Sequence, residues 1–500
     1  MFVNTRSSGV LMHISSLPGP FGVGVLGKEA LDFVDFISQL GFSAWQILPI
    51  NPVDEYYSPY KSSSAFAGNY MFIDPRSLKA IGLVSQEEID TCICTQNDTT
   101  TNYNFAAEKR LSLLRVAFSH ISNTILSSLD EFSSKHKWVE PYALYMAVKE
   151  SQGGTPWWQW TLGYDDYEYC KLEHEKFTQQ INFWKFTQYI FYSQWSVIKN
   201  YANSKGIKII GDMPFYISMD SADVWSNSYY FQLELNTLKP LSVSGAPPDY
   251  FSSDGQIWGN PLYNWDNLEE EGYSWWISRL DFLNNNFDII RITHFRAYAS
   301  YWSVPADAKT AKGGKWFQGP GQNFFKAVKN SLPDIILIAD DLGRIEDDVI
   351  ELLNSNDISG ICVMQLGFED TSESKHLPHN YNNNTVAYIG THDNNTFLGF
   401  LYELSPEKRK FALDYCGFHG SDWSKSGCDN IACRCAFEAL WRSPANLTII
   451  TIQDICGMGN STRMNIPSTQ EDNWLFRVAS DYLNSIDRDY FTRINNLFKR

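Results

Sequence analysis

The sequence is short of positive charge: 40 Lys and Arg stand against 57 Asp and Glu, a formal net charge of −17. That balance argues against nucleic acid and anionic membranes as partners and favours a neutral or cationic ligand. No run of about 18 apolar residues occurs, so no membrane span is expected. The opening residues, MFVNTRSSGVLMH, have neither a basic segment followed by a long apolar one nor a small-residue cleavage site. No secretory leader is therefore expected. Paired C-x-x-C motifs are missing too. The nine Cys cluster only at Cys92/Cys94 and Cys428/Cys433/Cys435, without His at zinc spacing. They read as reduced thiols of a cytoplasmic protein, not as a metal site. Internal repeats and low-complexity tails are also absent.

What remains is a globular chain, 44% hydrophobic and 19% charged. Its 500 residues are too many for a typical single core, but α/β barrels with insertions reach this size. The 17 Trp, 27 Tyr and 32 Phe are expected mostly in the core, with some left as stacking platforms for pyranose rings.

Short apolar runs recur along the chain, most with polar ends. They are Val10–Ser16, Ala44–Ile50, Ile207–Phe215, Asp288–Phe295, Ile335–Asp341, Ile361–Phe368, Thr385–Asp393 and Leu447–Asp454. Eight such runs, spaced by segments that can hold helices, predict a (β/α)₈ barrel. Glu29–Leu40 has helical spacing, with Ala30, Phe33, Val34 and Ile37 on one face and Gly41 as a stop. Phe177–Ala202 is a longer helical pattern whose stripe is Trp184, Phe191, Trp195 and Ile198. The whole chain, 1–500, reads as one barrel domain with two insertions. Residues 86–165 are helix-rich, including Phe105–Leu129 and Pro141–Glu150. Residues 218–265, rich in Pro, Gly, Ser and aromatics, read as loops forming a lid over the barrel mouth.

Function in such a barrel sits at the C-terminal strand ends. Those ends carry Asp212 on the third strand, Arg291 and His294 on the fourth, Asp340 and Asp341 on the fifth, and His392 and Asp393 on the seventh. A lone Asp there is often only a helix cap. Carboxylates from several strands converging on one mouth point instead to glycosidic-bond chemistry, which needs an acid over the leaving oxygen and a carboxylate beneath the anomeric carbon. A third carboxylate can stabilise the oxocarbenium charge.

Several stretches then resemble one family in order. They are SSGVLMHISSLPGPFGVGVLG (Ser7–Gly27), SPYKSSSAFAGNY (Ser58–Tyr70), GDMPFYISMDSADVW (Gly211–Trp225) and PPDYFSSDGQIWGNPLYNW (Pro247–Trp265). Further on come YWSVP (301–305), LPHNY (377–381), GTHDNNT (390–396), QDICGMG (453–459) and MNIPS (464–468). The chain resembles the amylomaltases, the 4-α-glucanotransferases or disproportionating enzymes, over nearly its whole length. The resemblance implies a retaining double displacement on α-1,4-glucans, without metal or organic cofactor. It assigns Asp393 to gripping the distorted ring and stabilising the transition state. It makes Ser58, Tyr60, Asp212, Tyr250, Gln256, Trp258, Arg291, His294, His392 and Asn465 substrate-binding residues.

Two positions depart from the pattern that the resemblance implies. Thr293 stands where the family has its nucleophile Asp, and Asp340 where it has the acid/base Glu. A Thr hydroxyl carries no charge to offset the oxocarbenium ion and has no neighbouring base to activate it. Asp340 is one methylene short, and a misplacement of about 1 Å can cost about 100-fold in rate. Smaller departures are Ala297 and Ser468, each at a usual Gly, and Asn395 at a usual Asp. The expectation is therefore a protein that binds malto-oligosaccharide or α-glucan with transfer lost or severely reduced, a pseudoenzyme serving an active glucan-metabolising partner. The alternatives are a working 4-α-glucanotransferase and a purely structural protein.

Overall fold

The computed structural model describes residues 5–96, 98–234, 236–248, 252–343, 345–370 and 372–500. Eight parallel strands close into a barrel: β1 (Ser7–Leu11), β2 (Ala44–Gln46), β3 (Lys208–Met213), β6 (Ile289–Ile292), β9 (Leu337–Ala339), β10 (Ser359–Val363), β11 (Thr385–Tyr388) and β12 (Leu447–Thr451). They pair in chain order around the ring, and β1 closes it against β12 with Ser7 opposite Leu447. Each predicted apolar run supplies one strand. The strands are apolar throughout because both of their faces are covered: β1, β6, β11 and β12 are buried along their full lengths. Gly9 sits where β1 crosses β2. A Cβ there would lie 2.8 Å from Ala44 Cβ, so only Gly allows these strands to approach.

The helix Lys28–Gln39 buries Ala30, Phe33, Val34, Phe36 and Ile37, the face its spacing predicts. The 27-residue helix Thr178–Ser204 buries Trp184, Phe191, Trp195 and Ile198. The stretch predicted as helical over Phe105–Leu129 is two helices, Tyr103–Ser119 and Asn123–Lys135. Ser122 separates them by capping the second: its hydroxyl accepts from the Ile125 amide. Pro141–Glu150 lies within the helix Val139–Ser151.

The segment 218–265 is not all loop. It carries β4 (Ser242–Ala246) and β5 (Gln256–Pro261), which join β7 (Ser300–Pro305) and β8 (Lys315–Gln318) in an antiparallel sheet of order β5-β4-β7-β8. Its small residues are what that packing uses. A Cβ on Gly245 would lie 2.3 Å from the Gln256 carbonyl across the β4–β5 pairing. Among the described residues, no helix is long and apolar enough to cross a membrane.

Candidate active site

The mouth of the barrel is organised by one cation. Arg291, on β6, is 2% exposed. Its Nη1 donates to Asp212 Oδ2 at 2.6 Å, and its Nη2 donates to Asp340 Oδ2 at 2.7 Å. β3, β6 and β9 are neighbours in the barrel, so three adjacent strand ends deliver these three groups to one place. Burial alone would pull the guanidinium's pKa down, but Asp212 and Asp340 outweigh it and hold Arg291 charged. Such a pair depends on both partners, since a charge buried without compensation is costly.

Asp340 behaves differently from an ordinary surface carboxylate. Desolvation raises its pKa, Arg291 opposes that rise, and the negative charges of Asp212, Asp393 and Asp341 reinforce it. Its neighbour Asp341 faces away. Asp341 accepts from the Ile361 amide at 2.7 Å and pairs with Lys375, tying β9 to β10.

Beyond Ile292 the chain turns out of the barrel through Thr293 and His294. The Thr293 amide donates to the Met213 carbonyl, and its Oγ1 accepts from the Phe215 amide at 3.0 Å. The hydroxyl thus staples the end of β6 to the loop after β3. His294 takes a left-handed conformation, φ 51°. Desolvation, then Arg296, lowers its pKa to about 4, so the ring is neutral near pH 7. Trp258 from β5 meets it edge-on, centroids 4.7 Å apart, while its Nε1 donates to Gln256 Oε1 at 3.1 Å. These contacts bring β5 to the barrel mouth.

The loop after β2 supplies the opposite wall. Tyr60 donates its hydroxyl to Asp212 Oδ2 at 2.7 Å and stacks on His392, centroids 5.1 Å apart at 12°. Ser58 supports that loop: its Oγ accepts from the Tyr60 amide, and its own amide donates to Asp54. His392 Nε2 lies 3.5 Å from Asp393 Oδ1, and the same oxygen accepts from Asn465 Nδ2 at 2.7 Å. Arg463 holds the Asp393 carbonyl at 2.8 Å. Tyr250 lies outside the described residues.

All the other predicted site residues fall around this mouth, although Ser58 shows no contact to the charged cluster itself. Sequence reasoning missed three contributors. Trp474 packs against both Tyr60 and His392, at 5.6 and 6.0 Å. Tyr216 packs beside both Trp258 and His294, at 6.1 and 5.9 Å, with its hydroxyl buried. The Phe215 amide occupies the Thr293 hydroxyl. Only the GDMPFY motif drew attention to any of them, and it gave no hint of a backbone partner.

Fold and site together define a (β/α)₈ protein with a cleft of carboxylates, the buried Arg291 and aromatic rings at the C-terminal ends of its strands. The 4-alpha-glucanotransferase family model, glycoside hydrolase family 77, matches residues 12–483. The 4-alpha-glucanotransferase of Clostridium butyricum is 38% identical over 98% of this chain and all of its own. That of Thermus thermophilus is 38% identical over 95% of both chains. The solved amylomaltase of Streptococcus agalactiae, in complex with acarbose, superposes with a TM-score of 0.94 at 36% identity over 99% of each chain. The chain belongs to the 4-alpha-glucanotransferase (amylomaltase) family.

Proposed function

We propose that this cleft takes α-1,4-glucans and malto-oligosaccharides, and that the chain is a 4-α-glucanotransferase moving α-1,4-glucan segments by retaining chemistry. The observation that carries this is the gathering of Asp212, Arg291, Asp340 and Asp393 at one barrel mouth beside the Tyr60–His392 stack. Relatives named for that activity match the chain from end to end. Asp340, with its raised pKa, is the proton donor to the leaving sugar. Asp393, oriented by Asn465, faces the cation that develops at the anomeric carbon. Tyr60, Trp258, His294 and His392 hold the ring, and Arg291 keeps Asp212 and Asp340 in place.

One observation favours a second reading, in which the cleft binds glucan with transfer lost or severely reduced. Residue 293 offers a neutral hydroxyl that already accepts a hydrogen bond, at the position the resemblance assigns to the nucleophile. Loss of a covalent nucleophile costs on the order of 10⁴-fold or more in other enzymes. The relatives favour the first reading, and Thr293 favours the second.

Incubation with maltotriose separates them. Glucose and longer maltodextrins, formed at rates ordinary for an enzyme, support the transferase. No products, with maltoheptaose still bound in calorimetry, leave the binding protein. Absence of both products and binding overturns the proposal in either form.

A further inference from the structure

Behind the His392 ring lies a cavity of about 20 Å³, lined by His13, Thr391, His392, Asn395 and Gln453 among others. It has room for one water molecule. Three buried polar atoms of its lining residues have no hydrogen-bond partner among the described residues: His13 Nδ1, His392 Nδ1 and Asn395 Oδ1. Buried polar atoms are rarely left unsatisfied, and a buried water typically makes about three hydrogen bonds. His13 follows β1 directly and is 3% exposed, with its ring edge-on to Phe72 at 5.5 Å. His392 is 4% exposed, between Tyr60 and Trp474.

We propose that His13 is a positioning residue for His392, acting through one water held by His13 Nδ1, His392 Nδ1 and Asn395 Oδ1. The proposal rests on the glucan-site reading only for its consequence, not for the water itself. His13 Nδ1–H donates to the water, and the water donates to His392 Nδ1 and Asn395 Oδ1. His392 is thereby fixed with its proton on Nε2, aimed at Asp393 and at a ring hydroxyl. The other tautomer would set a lone pair against the Asp393 carboxylate, 3.5 Å away. Desolvation, then the nearby His392, lowers the His13 pKa to about 3, so His13 stays neutral and keeps one donor and one acceptor across the working pH range. Asn395 completes the set, because its amide oxygen accepts without adding a charge to a buried site.

The test uses the full chain labelled with ¹⁵N-histidine. Long-range ¹H–¹⁵N spectra report the tautomer of His392, its signals assigned by their loss in His392→Asn. Two variants are compared: His13→Asn, whose amide N–H can replace Nδ1–H, and His13→Phe, which keeps a ring without polar atoms. The unmodified chain and His13→Asn show His392 protonated on Nε2, and His13→Phe shows a tautomer mixture. Maltoheptaose affinity falls about tenfold in His13→Phe, the scale of one hydrogen bond, and is largely rescued in His13→Asn. Equal losses in both variants, or an unchanged His392 in His13→Phe, overturn the proposal. So does protonation on Nδ1 in the unmodified chain, which decides the matter even where His13→Phe does not fold. If the unmodified chain binds no maltoheptaose, the glucan reading fails while the tautomer still tests the role of His13.

Discussion

At the scale of single residues, groups proposed for chemistry and groups held for structure can be equally buried, and their partners tell them apart. Asp454, 1% exposed in the helical turn after β12, accepts from the Phe397 amide at 2.7 Å and has no cation beside it among the described residues. Desolvation raises its pKa to about 6. The folded chain therefore binds this proton more tightly than the unfolded chain, and stability falls as pH rises from about 4 to about 6. The cost at pH 7 is about 3 kcal/mol for two pKa units. Asp454→Asn keeps the acceptor for Phe397, so thermal unfolding at pH 7 should shift up by a few degrees, and the gain should vanish by pH 4. A gain independent of pH would show that the carboxylate is not the cause. Ser468 is a second case. It holds φ 68°, a left-handed conformation that L-residues adopt at a cost of about 1 kcal/mol. Ser468→Gly should raise stability by about that amount without altering glucan affinity, which chemical denaturation and calorimetry check together.

At the scale of elements, the loop after β2 shows how the frame places a residue proposed to bind. It must bring Tyr60 to Asp212 while passing the helix Thr178–Ser204. Gly68 permits this: its amide and carbonyl are both bonded by Gln188, and a Cβ there would lie 2.1 Å from the Phe191 ring. Gly68→Ala should destabilise the chain by about 1–3 kcal/mol and weaken maltoheptaose binding by moving Tyr60. Melting curves and calorimetry would show both effects, and stability lost with affinity intact would detach the loop from the site. Barrel strands such as Thr385–Tyr388 and Leu447–Thr451 were legible because burial on both faces demands unbroken apolar residues. β4 (SVSGA) and β8 (KWFQ) were not. Their stability comes from pairing with partners distant in sequence, and neither is apolar or alternating enough to announce a strand.

At the scale of the whole molecule, a closed ring of parallel strands makes residues far apart in sequence neighbours. Asp212, Arg291 and Asp340 meet although about fifty or more positions separate each from the next. Motif order made those three and Asp393 legible, because strand ends share one face of the barrel. His13 and Trp474 were not legible: what they touch depends on how β1 and the loop near the C-terminus pack behind His392. The negative net charge and a cleft whose buried Arg291 is paired with Asp212 and Asp340 suit a neutral sugar. The central claim of the proposed function is a glucan-transfer cleft, and its second reading adds that residues 293 and 340 limit the rate. Its direct measurement is maltotriose disproportionation by the unmodified chain beside the double variant Thr293→Asp, Asp340→Glu. The double variant should release glucose at least about 100-fold faster, since it supplies a charged nucleophile and restores the reach of the acid. A folded, maltoheptaose-binding double variant that is no faster than the unmodified chain would contradict the claim.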